Sequence, residues 1–538
     1  MANPGMLYVT MQPKPDLALE QFHEWYNNEH GPTRLRLPQI FTNGLRYRAN
    51  DGLEPAFLAT YDVTSMSHLE TPTYTTLRAN RSSREAETIG QVAVTRYFFD
   101  LVLERKAPGF VPIEQLSDRD AEGLELVAIE TTLDDETGAA ELKKWYEEEH
   151  IGMLSKVPGW LRTRLVRVSS IGDGAGSKTT YLALHDYARE NGLGGPEHKA
   201  STATKRAADV VSKHVKGMNR RTYSLFYVFG PAARDLDNLA KLPSSAASWT
   251  SPDGLTKTIP GENEAISSYA TAEDGLSVPY RLEGNSSPNA PTVAFCNSLL
   301  TSLHMWDPVV EILKQKRPDL RILRYDTRGR HAIPSPPVPA TLDLLAADLR
   351  TVLDALRITK LHALIGVSMG GATTTNFALK HADRLDKFIA CDFNATSSAA
   401  NTQAWKDRIA VAEGDGGAGI AQLAQQTVGR WFHPATMEKE AVVKSMTDMV
   451  AGNSVEGFKY SCQALWDYDL KPALGLCQVP GLLVVGDGDG KGALVKAMDG
   501  FKDLVGAKGA ELKVVPNAGH LPMWEAPEAF WEAIQGFL

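Results

Sequence analysis

The chain has 538 residues, enough for three or four domains at about 150 residues each. With 56 basic and 65 acidic residues it carries a net charge of −9, which argues against a general nucleic-acid binder, because such proteins need basic surfaces to neutralise phosphates. Hydrophobic residues at 43% and charged residues at 22% exclude a disordered or fibrous chain, and no apolar run reaches the roughly 18 residues of a membrane span. The opening MANPGMLYVT lacks the basic-then-apolar pattern of a secretory signal. Four cysteines (Cys296, Cys391, Cys462, Cys477) are too sparse for a disulfide framework and form no C-x-x-C pair. A cytoplasmic, reducing setting is therefore expected, with neither nucleic acid nor membrane as partner.

The first 230 residues contain a repeat. Residues 20–47 and 140–167 align so that Trp25, Tyr26, Glu29, His30 and Pro38 fall on Trp145, Tyr146, Glu149, His150 and Pro158. Each copy opens with an apolar run (LYVTM; LELVAIE), continues after the shared segment with a second (PAFLATYDV; TTYLALHDY), and closes with an aromatic one (TRYFFDLVL; RTYSLFYVF). The expected order is strand, helix, strand, strand, helix, strand, a ferredoxin-like arrangement, over 1–110 and again over 121–230. An antiparallel sheet with helices on one face leaves the other to be covered. Two copies are thus expected to pair their sheets as a dimeric α+β barrel, within one chain or between the chains of a homodimer.

With its W-Y-x-x-E-H stretch the repeat resembles the EthD-like family of dimeric α+β barrels, over roughly residues 5–105 and 123–230. That resemblance implies a pocket acid or base at His30 and His150, of the kind used to decarboxylate or dehydrate aromatic polyketides. The competing reading is that Trp, Tyr and His pack the helix onto the sheet, with Glu29 or Glu149 as the hydrogen-bond partner. The loop GDGAGSKT at 172–179 imitates a phosphate loop, but it lacks a glycine before Lys178 and lies between two strands, so no phosphate site is expected there.

Residues 231–262, rich in Pro, Ser, Ala and Gly without sustained periodicity, read as an interdomain linker. Beyond it, short apolar runs (PTVAFCNS, LRILRYD, LHALIGVS, DKFIACDF, PGLLVVGD, ELKVVPNA) alternate with helix-length segments, the pattern of a mostly parallel sheet covered on both faces. LHALIG runs directly into Gly366-x-Ser368-x-Gly370 and then a helix, the context of a nucleophile elbow in an α/β-hydrolase domain over 263–538. The fold orders its residues serine, acid, histidine, and the runs PGLLVVGD and ELKVVPNA lead to Asp489 and His520. In that arrangement the imidazole takes the Ser368 proton while Asp489 holds the tautomer. Asp487 competes as the acid, although the spacing from Gly486 favours Asp489; Asp392, after the preceding strand, is a more distant alternative. The oxyanion donors are expected to be the backbone N–H groups of Met369 and Leu299. The run from Asp487 to Gly492 imitates a calcium loop, but Lys491 and Met498 occupy ligand positions, so no metal is expected.

NSLLTSLHMWDP (297–308), LRYDTRGR (323–330), GVSMGG (366–371), GRWF (429–432), CQALWDYDL (462–470) and NAGHLPMWEAPEAF (517–530) closely resemble the 3-oxoadipate enol-lactonase branch of the α/β-hydrolases, over about residues 263–538 with a helical cap at 396–474. The resemblance implies attack on the carbonyl of a small ester or enol-lactone, an acyl-enzyme released by water, and no cofactor. Three departures lie near the pocket mouth: Leu300 replaces the family's usual glycine, Arg328-Gly329-Arg330-His331-Ala332-Ile333 replaces R-G-H-G-x-S, and Gly490-Lys491-Gly492 replaces the T-P after the acid. By the same resemblance the cap closes over the substrate, with Met305, Trp431, Trp466 and Tyr468 as pocket residues. His304, Arg328, Arg330 and His331 are the candidates for holding a substrate carboxylate, a role that suits arginine's bidentate geometry. The barrel would then bind the same, possibly aromatic-derived, substrate or serve oligomerisation. In a bifunctional enzyme it would act first, as a decarboxylase, dehydratase or isomerase. A non-catalytic binding protein on a hydrolase scaffold is the further alternative, and the intact Ser368, Asp489 and His520 argue against it.

Overall fold

The computed structural model describes residues 3–171, 179–417 and 419–538, so the phosphate-loop-like stretch at 172–178 lies outside the described residues. The chain divides into two compact units, Met1–Ala233 and Arg234–Leu538. No described helix is long and apolar enough to cross a membrane.

The first unit is a closed eight-stranded barrel. Its strands are β1 (Gly5–Pro13), β2 (Leu45–Ala49), β3 (Phe57–Val63), β4 (Val92–Lys106), β5 (Glu125–Leu133), β6 (Trp160–Val168), β7 (Thr180–Tyr187) and β8 (Val215–Val228). Around the barrel they follow the order β1-β3-β2-β8-β5-β7-β6-β4, and every neighbouring pair is antiparallel. Each repeat thus supplies four adjacent strands in the sequence fourth, first, third, second. The repeats join where β2 meets β8 and where β4 meets β6, so a single chain closes the barrel.

The period-two alternation of each strand serves two cores. Met6 and Tyr8 of β1 share one cluster with Tyr47, Leu126, Leu184 and Tyr223 from both repeats. Leu7, Val9 and Met11 pack instead with Phe22, Trp25 and Tyr26 of the first repeat's helix, and Val127 packs with Leu142, Trp145 and Tyr146 of the second's. Burying each of these large side chains is worth about 1.5–3 kcal/mol. Both faces are therefore apolar, which is why the strands read as near-continuous hydrophobic runs.

The repeated W-Y-x-x-E-H segments have an unusual backbone. Tyr26–His30 and Tyr146–His150 are π-helical turns set between α-helical stretches. Gly31 N–H donates to Tyr26 O and Ile151 N–H to Tyr146 O, one residue beyond the α-helical reach. The wide turn brings tyrosine and histidine together, tilted with ring centroids 4.6 Å apart in the first repeat and edge to face at 4.9 Å in the second.

The second unit is built on a ten-stranded sheet made of β9 (Trp249–Thr250), β10 (Lys257–Ile259), β11 (Ala265–Thr271), β12 (Ser277–Gly284), β13 (Thr292–Cys296), β14 (Arg321–Tyr325), β15 (Ala363–Val367), β16 (Phe388–Cys391), β17 (Gly481–Gly486) and β18 (Glu511–Val515). Its order is β18-β17-β16-β15-β13-β14-β12-β11-β10-β9, parallel from β14 to β18 and antiparallel beyond. β13, β15 and β16 are buried along their whole length, as strands covered on both faces must be. The linker expected at 231–262 is corrected here: it carries the helix Leu236–Lys241 and the strands β9 and β10, which extend the sheet edge. Helices Ala399–Glu413, Gly419–Trp431, Glu440–Ala451 and Val455–Ser461 are inserted between β16 and β17. Ser368, Asp392, Asp489 and His520 all follow the carboxyl ends of parallel strands, where open α/β sheets place their sites.

Candidate active site

β15 ends at Val367 and the helix Met369–Lys380 begins two residues later, so Ser368 alone makes the turn, at φ 59° and ψ −120°. That strained conformation holds only if the chain packs tightly around it. The flanking residues show how tightly. A Cβ on Gly366 would lie 2.2 Å from Gly370 O, and one on Gly370 would lie 2.1 Å from Cys296 O. Ser368 N–H donates to Cys391 O at 2.9 Å, fixing the elbow to β16.

Asp489 and His520 come from the loops after β17 and β18, and His520 Nδ1 lies 2.7 Å from Asp489 Oδ2. A carboxylate only accepts, so Nδ1 carries the proton and Nε2 keeps its lone pair for a base. His520 N–H donates to Trp431 O at 2.7 Å, and the Trp431 ring stacks on the imidazole with centroids 5.6 Å apart. Glu525, buried and unremarked in the sequence, accepts from Gly519 N–H at 3.0 Å, Leu521 N–H at 3.1 Å and His433 N–H at 2.7 Å, tying the loop that carries His520. Burial raises its carboxyl above the usual range. Ser368, Asp489 and His520 line one cavity of about 420 Å³ together with Leu299, Trp431 and Tyr468. Among the described hydrogen bonds none joins Ser368 to His520, a loose approach common before a substrate seats.

The competing acids have other partners. Asp487 accepts from Asn517 N–H at 3.1 Å and Ala518 N–H at 3.3 Å, joining the two loops. Asp392 is fully buried, accepts from Gly486 N–H at 2.9 Å, and lies within 4.8 Å of both Asp489 and His520. Burial first, and then the Asp489 charge, push Asp392 far above the carboxylate range, so Asp392 is held as a neutral acid.

Near the expected oxyanion turn, Leu299 reaches the cavity and Met369 is buried at the start of the helix after Ser368. Leu300, at φ 69°, occupies left-handed backbone that favours glycine. Its carbonyl accepts from Asn453 Nδ2 at 2.8 Å and from Arg330 at 3.4 Å, contacts that hold the turn.

Several expected pocket residues are corrected. Arg328 is buried between Asp348 (2.5 Å), Asp274 (2.9 Å) and the Tyr460 hydroxyl (2.9 Å), so its charge is spent inside the fold. Arg330 donates to Met449 O at 2.9 Å as well as to Leu300 O. Met305 is wholly buried and its sulfur accepts from Thr301 Oγ1 at 2.9 Å. His304 is exposed and pairs with Asp307 at 3.1 Å, and His331 meets Asp326 at 2.6 Å. Trp466 lines a different cavity of about 480 Å³, which Tyr468 shares. Removing the Arg328 charge strands Asp348 in the interior. Arg328→Met is expected to cost about 3–5 kcal/mol, read as a lower denaturant midpoint of the hydrolase unit.

In the barrel, His30 Nδ1 pairs with Glu85 at 2.7 Å and His150 Nδ1–H donates to Ser201 O at 3.0 Å. The partners expected for them, Glu29 and Glu149, instead accept from Ser82 and Thr204, each at 2.5 Å. Those hydroxyls in turn accept Glu85 N–H and Ala207 N–H, capping the helices Ser83–Gly90 and Lys205–His214. Burial, above all, pushes His30 down to about 3 and His150 to about 4. The repeated motif thus fastens each repeat's helices together and to the sheet.

Among the described residues two groups bring three possible metal ligands together: Asp134, Asp135 and His214 on the barrel, and Asp392, Asp489 and His520. Asp135 already caps the helix Glu136–Trp145, and Asp489 already holds the imidazole.

Residues 291–527 match the alpha/beta hydrolase fold family. The C-terminal half of this chain is an α/β hydrolase. It is 29% identical over 269 residues to 3-oxoadipate enol-lactonase 2 of Acinetobacter baylyi, covering 50% of this chain and 95% of that protein. A putative carbamate hydrolase of Caulobacter segnis is 33% identical over 112 residues, 20% of this chain and 40% of the relative. The crystal structure of the enol-lactonase from Burkholderia xenovorans LB400 is 31% identical, covers 50% of this chain and 98% of that one, and superimposes with a TM-score of 0.44.

Proposed function

We propose that the α/β hydrolase cleaves a small ester or lactone through an acyl-enzyme on Ser368. The observation that carries this reading is the Asp489–His520 pair, at 2.7 Å, sharing one cavity with a serine held in a strained elbow. His520 Nε2 takes the Ser368 proton as Oγ attacks the carbonyl carbon, and Asp489 stabilises the imidazolium. The backbone N–H groups of Met369 and Leu299 receive the oxyanion. His520 then protonates the leaving oxygen, and a water deprotonated by the same imidazole releases the acid. Similarity to two enol-lactonases favours a lactone among the possible esters. The barrel, with two βαββαβ repeats each in fourth-first-third-second strand order, is read as a tandem ferredoxin-like, EthD-like module closed within one chain. Its histidines are committed to packing, so it serves as a scaffold or binding module.

A fluorophosphonate probe tests this directly. The protein is expected to be labelled on Ser368, and Ser368→Ala to lose both the label and at least about 10³-fold in kcat/KM toward p-nitrophenyl esters. Folded wild-type protein that takes no label overturns the reading.

A further inference from the structure

The turn beside the nucleophile is held in place from the cap. Residues 298–301 form a tight turn, in which Thr301 donates its N–H and its hydroxyl to Ser298 O at 3.3 and 2.8 Å. Leu300, at φ 69°, takes the third position, where a positive φ ordinarily calls for glycine. A branched side chain keeps that conformation only when its surroundings over-determine it. Leu299, one residue earlier, lines the cavity with Ser368. It is buried, and its N–H donates to nothing among the described residues. Buried N–H groups are seldom left unpaired, which marks this one as a donor in waiting.

Two side chains from outside the turn fix it, and both meet it at one atom. Leu300 O accepts from Asn453 Nδ2 at 2.8 Å and from Arg330 Nη1 at 3.4 Å. The same two groups grip the last turn of the cap helix Glu440–Ala451. Asn453 Nδ2 donates to Val450 O at 2.8 Å, and Arg330 Nη1 to Met449 O at 2.9 Å. A guanidinium suits that place, because the carbonyl end of a helix carries partial negative charge. Neither donor is free to drift. Asn453 is buried, and the loop of Arg330 is tied down just before it. Arg328 is held by Asp348 at 2.5 Å, and a Cβ on Gly329 would lie 2.7 Å from Gly457 O. Leu300 and Arg330 are two of this chain's departures from the enol-lactonase pattern, and here they meet.

We infer that Arg330 and Asn453 are positioning residues for the oxyanion hole: from the end of a cap helix they clamp the Leu300 carbonyl, and the clamped turn aims the Leu299 N–H at the reacting carbonyl. The inference rests on the reading of Ser368 as the nucleophile and of Leu299 N–H as an oxyanion donor. An oxyanion contact is made in the transition state, so loosening it lowers kcat and leaves KM nearly unchanged. Rates on p-nitrophenyl butyrate, divided by the sites that a fluorophosphonate titrates at completion, correct for any loss of folded protein. On that scale Asn453→Leu is expected to lower kcat about 10–100-fold, with KM within about threefold of wild type. Arg330→Met, at the longer contact, should lose less, and Arg330→Lys, which keeps a donor, less again. In Leu300→Gly, where the positive φ no longer needs holding, the Asn453 and Arg330 substitutions should cost at most about threefold. A merely structural pair predicts lower urea midpoints with kcat per titrated site unchanged, and that result overturns the inference while leaving the nucleophile reading in place. So does a loss in KM instead of kcat, or one as large in the Leu300→Gly background as in wild type. If Asn453→Leu yields no folded protein, Arg330→Met read against Arg330→Lys decides. Wild type that takes no label overturns the nucleophile reading and this inference with it.

Discussion

Asp489→Asn is expected to lower kcat about 10³–10⁴-fold, whereas Asp392→Asn should stay within about tenfold of wild type. The two carboxyls lie side by side behind one imidazole, so their difference tests which of them carries the charge. Asp489 holds His520 Nδ1 at 2.7 Å, and in the proposed mechanism its negative charge stabilises the imidazolium. An asparagine there offers an N–H where an acceptor is needed and leaves the proton on the wrong ring nitrogen. Asp392 is wholly enclosed, and its Oδ2 has no donor nearby. As an O–H that oxygen donates to Asp489, which satisfies the buried atom and orients the carboxylate. An asparagine amide at 392 donates in the same way, so the exchange is nearly conservative. Asp392→Leu, which removes the donor, should cost more than Asp392→Asn. Steady-state kinetics on any chromogenic ester reads all three variants. Equal losses for Asp489→Asn and Asp392→Asn defeat this division of labour.

The elbow is legible because local sterics dictate it. Gly366 and Gly370 are required by backbone oxygens that would lie 2.2 Å and 2.1 Å from any added Cβ, and such constraints leave a mark in five consecutive letters. Asp489 and His520 lie on the loops that follow two apolar runs, β17 and β18, and those runs are what mark them in the sequence. The pocket's charge was not readable in this way. Arg328 reaches Asp348, Asp274 and Tyr460 across 20, 54 and 132 residues, so a motif that marks it as conspicuous says nothing about its being already paired. Arg430 stood in plain view inside GRWF beside Trp431, but only the folded cap turns it toward Ser368 with Arg408. The repeat was visible through its tryptophan, tyrosine and histidine, whereas the histidines' partners lie 55 and 51 residues away on helices without a shared motif. Residues 231–262 look like a linker in the sequence because strands of two and three residues at a sheet edge are too short to show a period.

Mild acid should destabilise the barrel strongly. His30, His150 and His185 are buried imidazoles held at about 3, 4 and 3, each chiefly by burial, against an ordinary value of 6.5. Below pH 6.5 the unfolded chain takes up protons that the folded barrel refuses, so stability present above that pH is lost as it falls. A tenfold shift in protonation is about 1.4 kcal/mol, and from pH 6.5 to 5 each imidazole therefore costs about 2 kcal/mol, about 6 for the three. Glu29 works in the opposite sense. Burial raises it to about 7, so it is penalised at neutral pH and regains about 3 kcal/mol as the pH falls from 7 to 5. Glu85, held at about 2 by its His30 hydrogen bond and neighbouring charges against the cost of burial, stays ionised across this window and contributes no slope. The net loss is about 3 kcal/mol, a large share of the 5–15 kcal/mol that keeps a domain folded. Urea unfolding of the intact chain at pH 7 and pH 5, followed by far-ultraviolet circular dichroism, should show one transition moving to markedly lower urea at pH 5. In His150→Gln/His185→Gln, whose amides stay neutral throughout, that movement should shrink or reverse as Glu29 becomes the dominant titrating group. A transition that shifts equally in wild type and in the double variant excludes the buried imidazoles as the cause.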